Sequence, residues 1–227
     1  MIDAATIAAR TEALFRTSGA LRDGHFLLKS GRHGDRYLEK FQVLQYPDAV
    51  TELCGFMANM VRGDDGRPTV DVVVGPTTGG VILAFEVARQ LGVRGIFAEE
   101  VRDADGATHR EFRRGFSIDT GERVFLVDDI LTTGGSLVAM LPAIESTGGE
   151  LSLASVIADR SGGLTSTASP RTGRSYPVTS LWVLDVPTYE AGPASCPACA
   201  AGLPLVAPGS TGAKPSWDGE RQARIIT

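Results

Sequence analysis

The chain has 227 residues, 43% of them hydrophobic and 22% charged, with a mean hydropathy of +0.03, enough to bury one substantial core plus appendages. A net charge of -5 and a pI near 5.3, with no basic run interleaved with aromatics, argue against a nucleic-acid partner. No apolar stretch approaches the roughly 20 residues of a membrane span, and the N-terminus lacks a basic region followed by an apolar core, so no membrane contact and a cytoplasmic location are expected.

In chain order, residues 3–18 carry Ile7, Leu14 and Phe15 among alanines and predict an amphipathic helix stopping at Gly19. Leu21 to Gln45 reads as short extended pieces and turns punctuated by Gly24, Gly31 and Gly34, a small hood over the rest. Val50, Leu53, Cys54, Met57 and Val61 recur at helical spacing and predict a helix over 48–62. Val70–Val74 is a buried strand, followed by the Gly-rich Gly75-Pro76-Thr77-Thr78-Gly79-Gly80 and a helix through Val81–Val87. Gly95–Ala98 predicts another strand. Glu99–Arg114 is charged and lacks apolar periodicity, so it reads as a lid or a disordered connector.

Val124–Val127 is a second buried strand, with Asp128 and Asp129 at its carboxyl end and Ile130, Leu131, Thr132, Thr133, Gly134, Gly135 and Ser136 leading into a helix. Pro142 is expected to kink that helix or end it early. Leu153–Ala158 and Leu181–Val186 complete the predicted strands. Beyond Pro187 the composition shifts to Pro, Ala, Gly and Ser, and residues 187–227 read as a tail packed irregularly or partly disordered. The expected organisation is one domain over 1–186, with the hood mainly in 20–45 and the core in 48–186.

Only three of the 22 basic residues are lysines, Lys29, Lys40 and Lys214, so each merits inspection. The three cysteines do not form a secreted disulfide framework. Cys196-Pro-Ala-Cys199 is a C-x-x-C, but a structural zinc site needs four ligands and the chain holds no second such pair. The reading is an incidental pair of reduced thiols, with zinc in one chain or between two chains as the alternatives.

The 124–136 string carries the chemistry. Ligands of open parallel sheets bind outside the carboxyl ends of the strands, where adjacent acids accept hydrogen bonds from vicinal sugar hydroxyls. Gly134 and Gly135 let the backbone approach a ligand, and successive amides, threonine hydroxyls and Ser136 at a helix start suit a phosphate monoester. It is not a Walker A loop, which needs a lysine where Ser136 stands.

This segment resembles the 5-phosphoribosyl-1-diphosphate (PRPP) signature of the type I phosphoribosyltransferases. The resemblance implies their fold: an α/β architecture with a central parallel sheet flanked by helices and a small N-terminal hood. Four further segments narrow it to the orotate phosphoribosyltransferases. Gly24-His25-Phe26-Leu27-Leu28-Lys29-Ser30-Gly31-Arg32-His33 is similar to the family's hood segment, which implies Lys29 at the substrates and Phe26 near the base. Gly75–Gly80 is similar to the pyrophosphate loop, implying diphosphate contacts from Gly75, Pro76, Thr77, Thr78 and Gly79, often with an unusual peptide geometry. Thr77-Thr78 departs from the small or apolar residues expected there, and its hydroxyls either meet phosphate or cap the next helix. Asp159-Arg160 matches the arginine that in the family lies against the base, implying that Arg160 pairs with the orotate carboxylate, with Thr132 nearby. Glu99–Arg114 takes the place of the mobile catalytic loop that a dimer shares between subunits. It carries Arg102, His109, Arg110, Arg113 and Arg114 and no lysine, where the family's loops commonly have one.

The implied reaction moves the 5-phosphoribosyl group of PRPP to orotate, with pyrophosphate leaving. Mg ions carried by PRPP, rather than a dedicated protein cage, are implied, as is a homodimer. Asp128 and Asp129 would orient the ribose, the 132–136 loop would hold the 5-phosphate, and Arg102, His109 and Arg110 would meet the departing diphosphate. Two other readings stay open: a phosphoribosyltransferase for another heterocyclic acid, and a PRPP-binding regulatory protein without turnover.

Overall fold

The computed structural model describes residues 2–28 and 30–208. The chain opens with α1 (Ala4–Thr17), whose first turn is capped by the Asp3 carboxylate accepting from the Thr6 N–H at 2.9 Å. Its buried Phe15 meets Trp182 edge-on at 5.7 Å. The hood follows as β1 (Leu21–Leu27) and β2 (His33–Leu38), an antiparallel pair, with the short α2 (Phe41–Leu44) and then α3 (Pro47–Asn59), which starts with Pro47 in its first turn.

The core continues with β3 (Val72–Pro76), α4 (Gly79–Leu91), β4 (Arg94–Arg102), β5 (Thr108–Phe112), β6 (Arg123–Leu131), α5 (Gly135–Ser146), β7 (Glu150–Asp159), β8 (Ser166–Ala168) and β9 (Ser175–Val183). Beyond it lie β10 (Thr188–Tyr189) and α6 (Pro197–Ala200). The large sheet has the order β5-β4-β3-β6-β7-β9-β8, parallel throughout except for β5 and β8 at its edges. The expected central parallel sheet with helices on its faces is therefore present.

Alternation along β6 shows how the sheet is held. Phe125 and Val127 enter an apolar cluster with Leu83, Ala84 and Val87 of α4 and with Leu53 and Met57 of α3. Val124 and Leu126 enter a second cluster with Leu137, Met140, Leu141 and Ile144 of α5. A strand covered on both faces has to be apolar at every position, and each such side chain removed from water contributes about 1.5–3 kcal/mol. The chain steps from β3 to β4 in one direction and then returns to place β6 on the other side of β3. The crevice outside β3 and β6 is thus the topological switch point, where parallel sheets bind ligands.

Some sequence-based expectations are corrected. Glu99–Arg114 is not a structureless loop: β4 runs on to Arg102 and pairs with β5 from Ala98↔Phe112 to Arg102↔Thr108. A two-sided polar edge hairpin has no apolar alternation to reveal it. Pro142 does not end α5, which continues to Ser146; α2, β8 and β10 went unforeseen because short elements carry little pattern. Over 187–208 the tail is mostly irregular, as expected, and its regular pieces are the short β10 and α6. Its β10 adds a third strand to the hood through Thr188↔Gly34 and Tyr189↔His33, and Val206 bridges Phe26. Residues 209–227 of the expected tail lie outside the described residues. Among the described residues no helix is long and apolar enough to cross a membrane.

Candidate active site

β6 extends through the two acids to Leu131, so Asp128 and Asp129 are strand residues and the pleat turns them to opposite faces. Asp129 faces the start of α4, where a Cβ built on Gly79 would stand 1.8 Å from its Oδ2. Lys40, in front of α2, donates to Oδ1 at 2.9 Å and lies 2.7 Å from Oδ2. Asp128 faces the other way, toward the Ser136 hydroxyl at the start of α5. Each carboxylate also accepts from the next backbone amide, Asp129 N–H at 2.8 Å and Ile130 N–H at 2.7 Å.

Both acids are almost fully buried, at 6% and 4% exposure, and their charges differ in support. Asp129 has an ammonium against it. Asp128 is pushed up to about 6, first by burial and then by the neighbouring Asp129 charge, with the Ser136 hydrogen bond, the Asp129 amide and Lys40 pulling the other way. A buried carboxyl that titrates near neutrality at a strand tip can hold hydroxyl groups in either protonation state.

Two loops flank these acids. After β6, Thr132 and Thr133 are exposed and Gly134 takes a left-handed conformation (φ 81°) as the N-cap of α5, a geometry open to glycine at little cost. This opens the first amides of a twelve-residue helix toward solvent, the arrangement that binds anions. At the junction of β3 and α4, the Gly75–Gly80 segment folds so tightly that a Cβ on Gly75 would meet the Gly80 carbonyl oxygen at 2.2 Å, and its Thr77-Thr78 peptide bond is cis.

The hairpin β4–β5 covers the second loop. Arg110 donates from Nη1 to the Thr77 hydroxyl at 3.0 Å and lies 3.6 Å from Glu100. His109 is 3.4 Å from Asp103, Arg113 is 3.6 Å from Glu111, and Arg114 pairs with Glu99. Arg102 and His109 are exposed. A cleft of about 650 Å³ separates the hairpin from α5, lined by His109, Arg110, Phe112, Gly135, Val138 and Pro142.

Arg160 follows directly on the last residue of β7. Its amide donates to the Leu131 carbonyl at 2.8 Å, which fixes it beside the phosphate-type loop. The Asp159 carboxylate shapes the following turn by accepting from Ser161, Gly163 and Leu164 N–H groups. Arg160 Nε is buried and has no hydrogen-bond partner among the described residues, and burial pulls the pKa of its guanidinium down. A buried guanidinium N–H without a partner is suited to pairing with an anion.

Pairwise contacts link most of these residues: Asp129 lies against Gly79, Asp128 against Ser136, Arg110 against Thr77, and the Arg160 amide against the Leu131 carbonyl. Phe26 is packed inside the hood instead, 5.6 Å from Tyr37 and under Arg22. Lys29 lies outside the described residues. Lys40 was missed as a site residue, since the only signal for it was the scarcity of lysine. The chemistry available is a hydroxyl-binding acid pair between two amide loops, with cations at both ends.

The model of the Phosphoribosyl transferase domain family matches residues 42–190. Orotate phosphoribosyltransferase of Caldicellulosiruptor saccharolyticus is 41% identical over 197 residues, covering 87% of this chain and 94% of that protein. Its counterpart from Acidithiobacillus ferrooxidans is 44% identical over 202 residues, covering 88% and 95%. Among solved structures, orotate phosphoribosyltransferase from Aeropyrum pernix superposes with a TM-score of 0.59 at 25% identity, over 76% of this chain and 92% of that one. On these matches the chain belongs to the phosphoribosyltransferase family and, within it, to the orotate phosphoribosyltransferases.

Proposed function

We propose that this chain transfers the 5-phosphoribosyl group of PRPP to orotate, giving orotidine 5-monophosphate and pyrophosphate in pyrimidine synthesis. The observation that carries the reading is the pairing, at one switch point, of the buried acids on β6 with an amide-rich helix start on one side and a tight Gly-rich loop on the other. Curated orotate phosphoribosyltransferases about 40% identical over most of the chain support it.

In this reading the 5-phosphate sits on the amides and hydroxyls of Thr132–Ser136, and the ribose hydroxyls donate to Asp128 and Asp129. Breaking the bond at ribose C1 builds positive charge on the ring and negative charge on the departing diphosphate. Fixed groups stabilise both: the two carboxylates, one on each face of the strand tip, border the ring, while the Gly75–Gly79 amides, Thr77 and Arg110 face the diphosphate. Lys40 fixes Asp129, so that this carboxylate is oriented before substrate arrives. Arg160 takes the orotate carboxylate, and its unpaired buried Nε is the support for that role. Lys29 is kept as a proposed substrate contact and Phe26 as a wall behind the hood segment.

Mg is a hard cation that prefers oxygen donors and keeps its waters. Asp129 is already held by Lys40 and the Thr77 hydroxyl by Arg110, and the described residues gather no cluster of carboxylates there, which fits Mg arriving on PRPP rather than in a protein cage. When bound it supplies charge neutralisation on the diphosphate. The proposed working form is a cytoplasmic homodimer in which the exposed Arg102 and His109 of the hairpin reach the neighbouring site. The proposed division of the chain keeps 1–186 as the transferase domain and 187–227 as an appendage.

The test is pyrophosphate release from PRPP and Mg, measured with orotate and with a panel of other heterocyclic acids and uncarboxylated bases. Release with orotate well above every other acceptor is expected. Preference for a different acid would keep the enzyme class and replace the acceptor, and PRPP binding without release from any base would replace the reading by a regulatory one.

A further inference from the structure

We propose that this protein carries a structural zinc ion bound by His25, His33, Cys196 and Cys199, which ties the hood to the segment after β10. The absence of a second C-x-x-C argued against zinc, but the fold supplies the missing pair as histidines more than 160 residues away in sequence. Two of the chain's three histidines and two of its three cysteines converge at this one point.

The donor atoms lie within 4.8 Å of one another, and His25, His33 and Cys196 are buried at 4%, 6% and 1% exposure. The separations are 2.8 Å for His25 Nε2 to His33 Nδ1, 3.6 and 3.5 Å for His25 Nε2 to the Cys196 and Cys199 sulfurs, and 3.2 Å for His33 Nδ1 to Cys199 Sγ. Zinc held tetrahedrally at about 2.0–2.1 Å from nitrogen and about 2.3 Å from sulfur requires donors about 3.3–3.8 Å apart. Three of these four separations lie in or next to that range, and the two histidine nitrogens, at 2.8 Å, would move apart to admit the ion.

Hydrogen bonding alone accounts poorly for the convergence. His25 Nδ1 is 2.9 Å from the Leu203 carbonyl, which only accepts, so Nδ1 carries the proton and Nε2 presents a bare lone pair. Three groups, His33 and both thiols, crowd that single lone pair. A cation at the centre takes one lone pair from each instead, and an imidazole N–H held by a backbone carbonyl is the outer support that zinc histidines ordinarily have. Binding deprotonates both thiols, releasing their protons to solvent.

The site also answers a packing deficit. Among residues 187–208 only Cys196 and Ala198 are buried apolar side chains, and neither belongs to either core cluster, while Leu203, Leu205 and Val206 are 51%, 45% and 48% exposed. Backbone pairing alone would hold this segment: Tyr189 opposite His33, Leu27 N–H to the Val206 carbonyl, and Val206 N–H to the His25 carbonyl. Small appended sheets without a core are commonly stapled by a metal.

The experiment is zinc analysis of the full chain, purified without chelator or added metal and freed of any metal-binding tag, followed by cobalt exchange. About one equivalent of zinc per chain, released by a mercurial thiol reagent into a chromogenic chelator, is the expected result for a Cys2His2 site. Cobalt substitution should give the thiolate charge-transfer band and the intense visible bands of a tetrahedral S2N2 centre. Cys196→Ser with Cys199→Ser should lose the metal while Cys54→Ala retains it. If the double variant fails to fold, the cobalt spectrum of the unaltered chain decides. The proposal is overturned by chain that contains no zinc and takes up neither zinc nor cobalt, by metal that survives in the double variant, or by a cobalt spectrum without thiolate ligation.

Discussion

At the scale of single residues, Asp128 ties the proposed chemistry to a measurable stability. Its folded pKa of about 6 lies above the ordinary 3.8, so between these values the folded chain binds a proton that the unfolded chain has released. The stabilisation is complete below about pH 3.8 and is lost as pH rises through about 6. Denaturant unfolding of the unliganded protein across pH 4–7.5 should therefore show wild type losing stability relative to Asp128→Asn as pH rises, and parallel curves would refute the shift. For Arg160→Ala, loss of a charge-assisted hydrogen bond worth about 1.5–3 kcal/mol predicts a roughly 10- to 100-fold fall in kcat/KM for orotate. The effect on an uncarboxylated acceptor should be small, and steady-state kinetics with both showing an equal loss would remove the assigned role. The acids and Arg160 were legible because each ends a recognisable buried strand. Lys40 was not, because its ion pair with Asp129 spans 89 positions and no local pattern encodes it.

At the scale of elements, the two loops depend on backbone proximity more than on side chains. Gly79→Ala places a methyl where Asp129 Oδ2 now stands, at 1.8 Å, and the acid is held from behind by Lys40. This variant should fold, since α4 keeps its core face, yet lose turnover by at least about 100-fold, roughly 3 kcal/mol of transition-state stabilisation. Circular dichroism with kinetics checks it, and near-normal activity would mean that Asp129 is free to move. The core strands and helices were readable from apolar runs and 3.6-residue spacing. The β4–β5 hairpin was not, because exposed edge strands alternate charge with charge, and Pro142 misled because α5 is anchored on both sides of it by Leu137, Leu141 and Ile144.

At the scale of the whole molecule, the hood is built from both ends of the described chain, with β1 and β2 from one and β10 from the other. Sequence reading assigned it to residues 20–45 alone, since a two-residue strand that completes a sheet 150 residues away leaves no local trace. The same distance hid the meeting of His25 and His33 with Cys196 and Cys199. If hairpins are exchanged between subunits, chains carrying Asp128→Asn with Asp129→Asn, inactive alone, should regain activity when refolded together with inactive Arg102→Ala His109→Ala chains. Mixed dimers then contain one site with both intact parts. No recovery in dimers verified by light scattering would place the hairpin over its own site, where Arg110 already contacts Thr77.

The most direct test of the central claim, that the β6 acids and the adjoining amide loop grip PRPP, is calorimetric titration of PRPP with Mg into wild type and into Asp128→Asn with Asp129→Asn. Saturable binding by wild type, weakened at least about 100-fold in a variant of unchanged circular dichroism, is the predicted result, since two charged acceptors are removed. Equal affinity for both proteins would contradict the account.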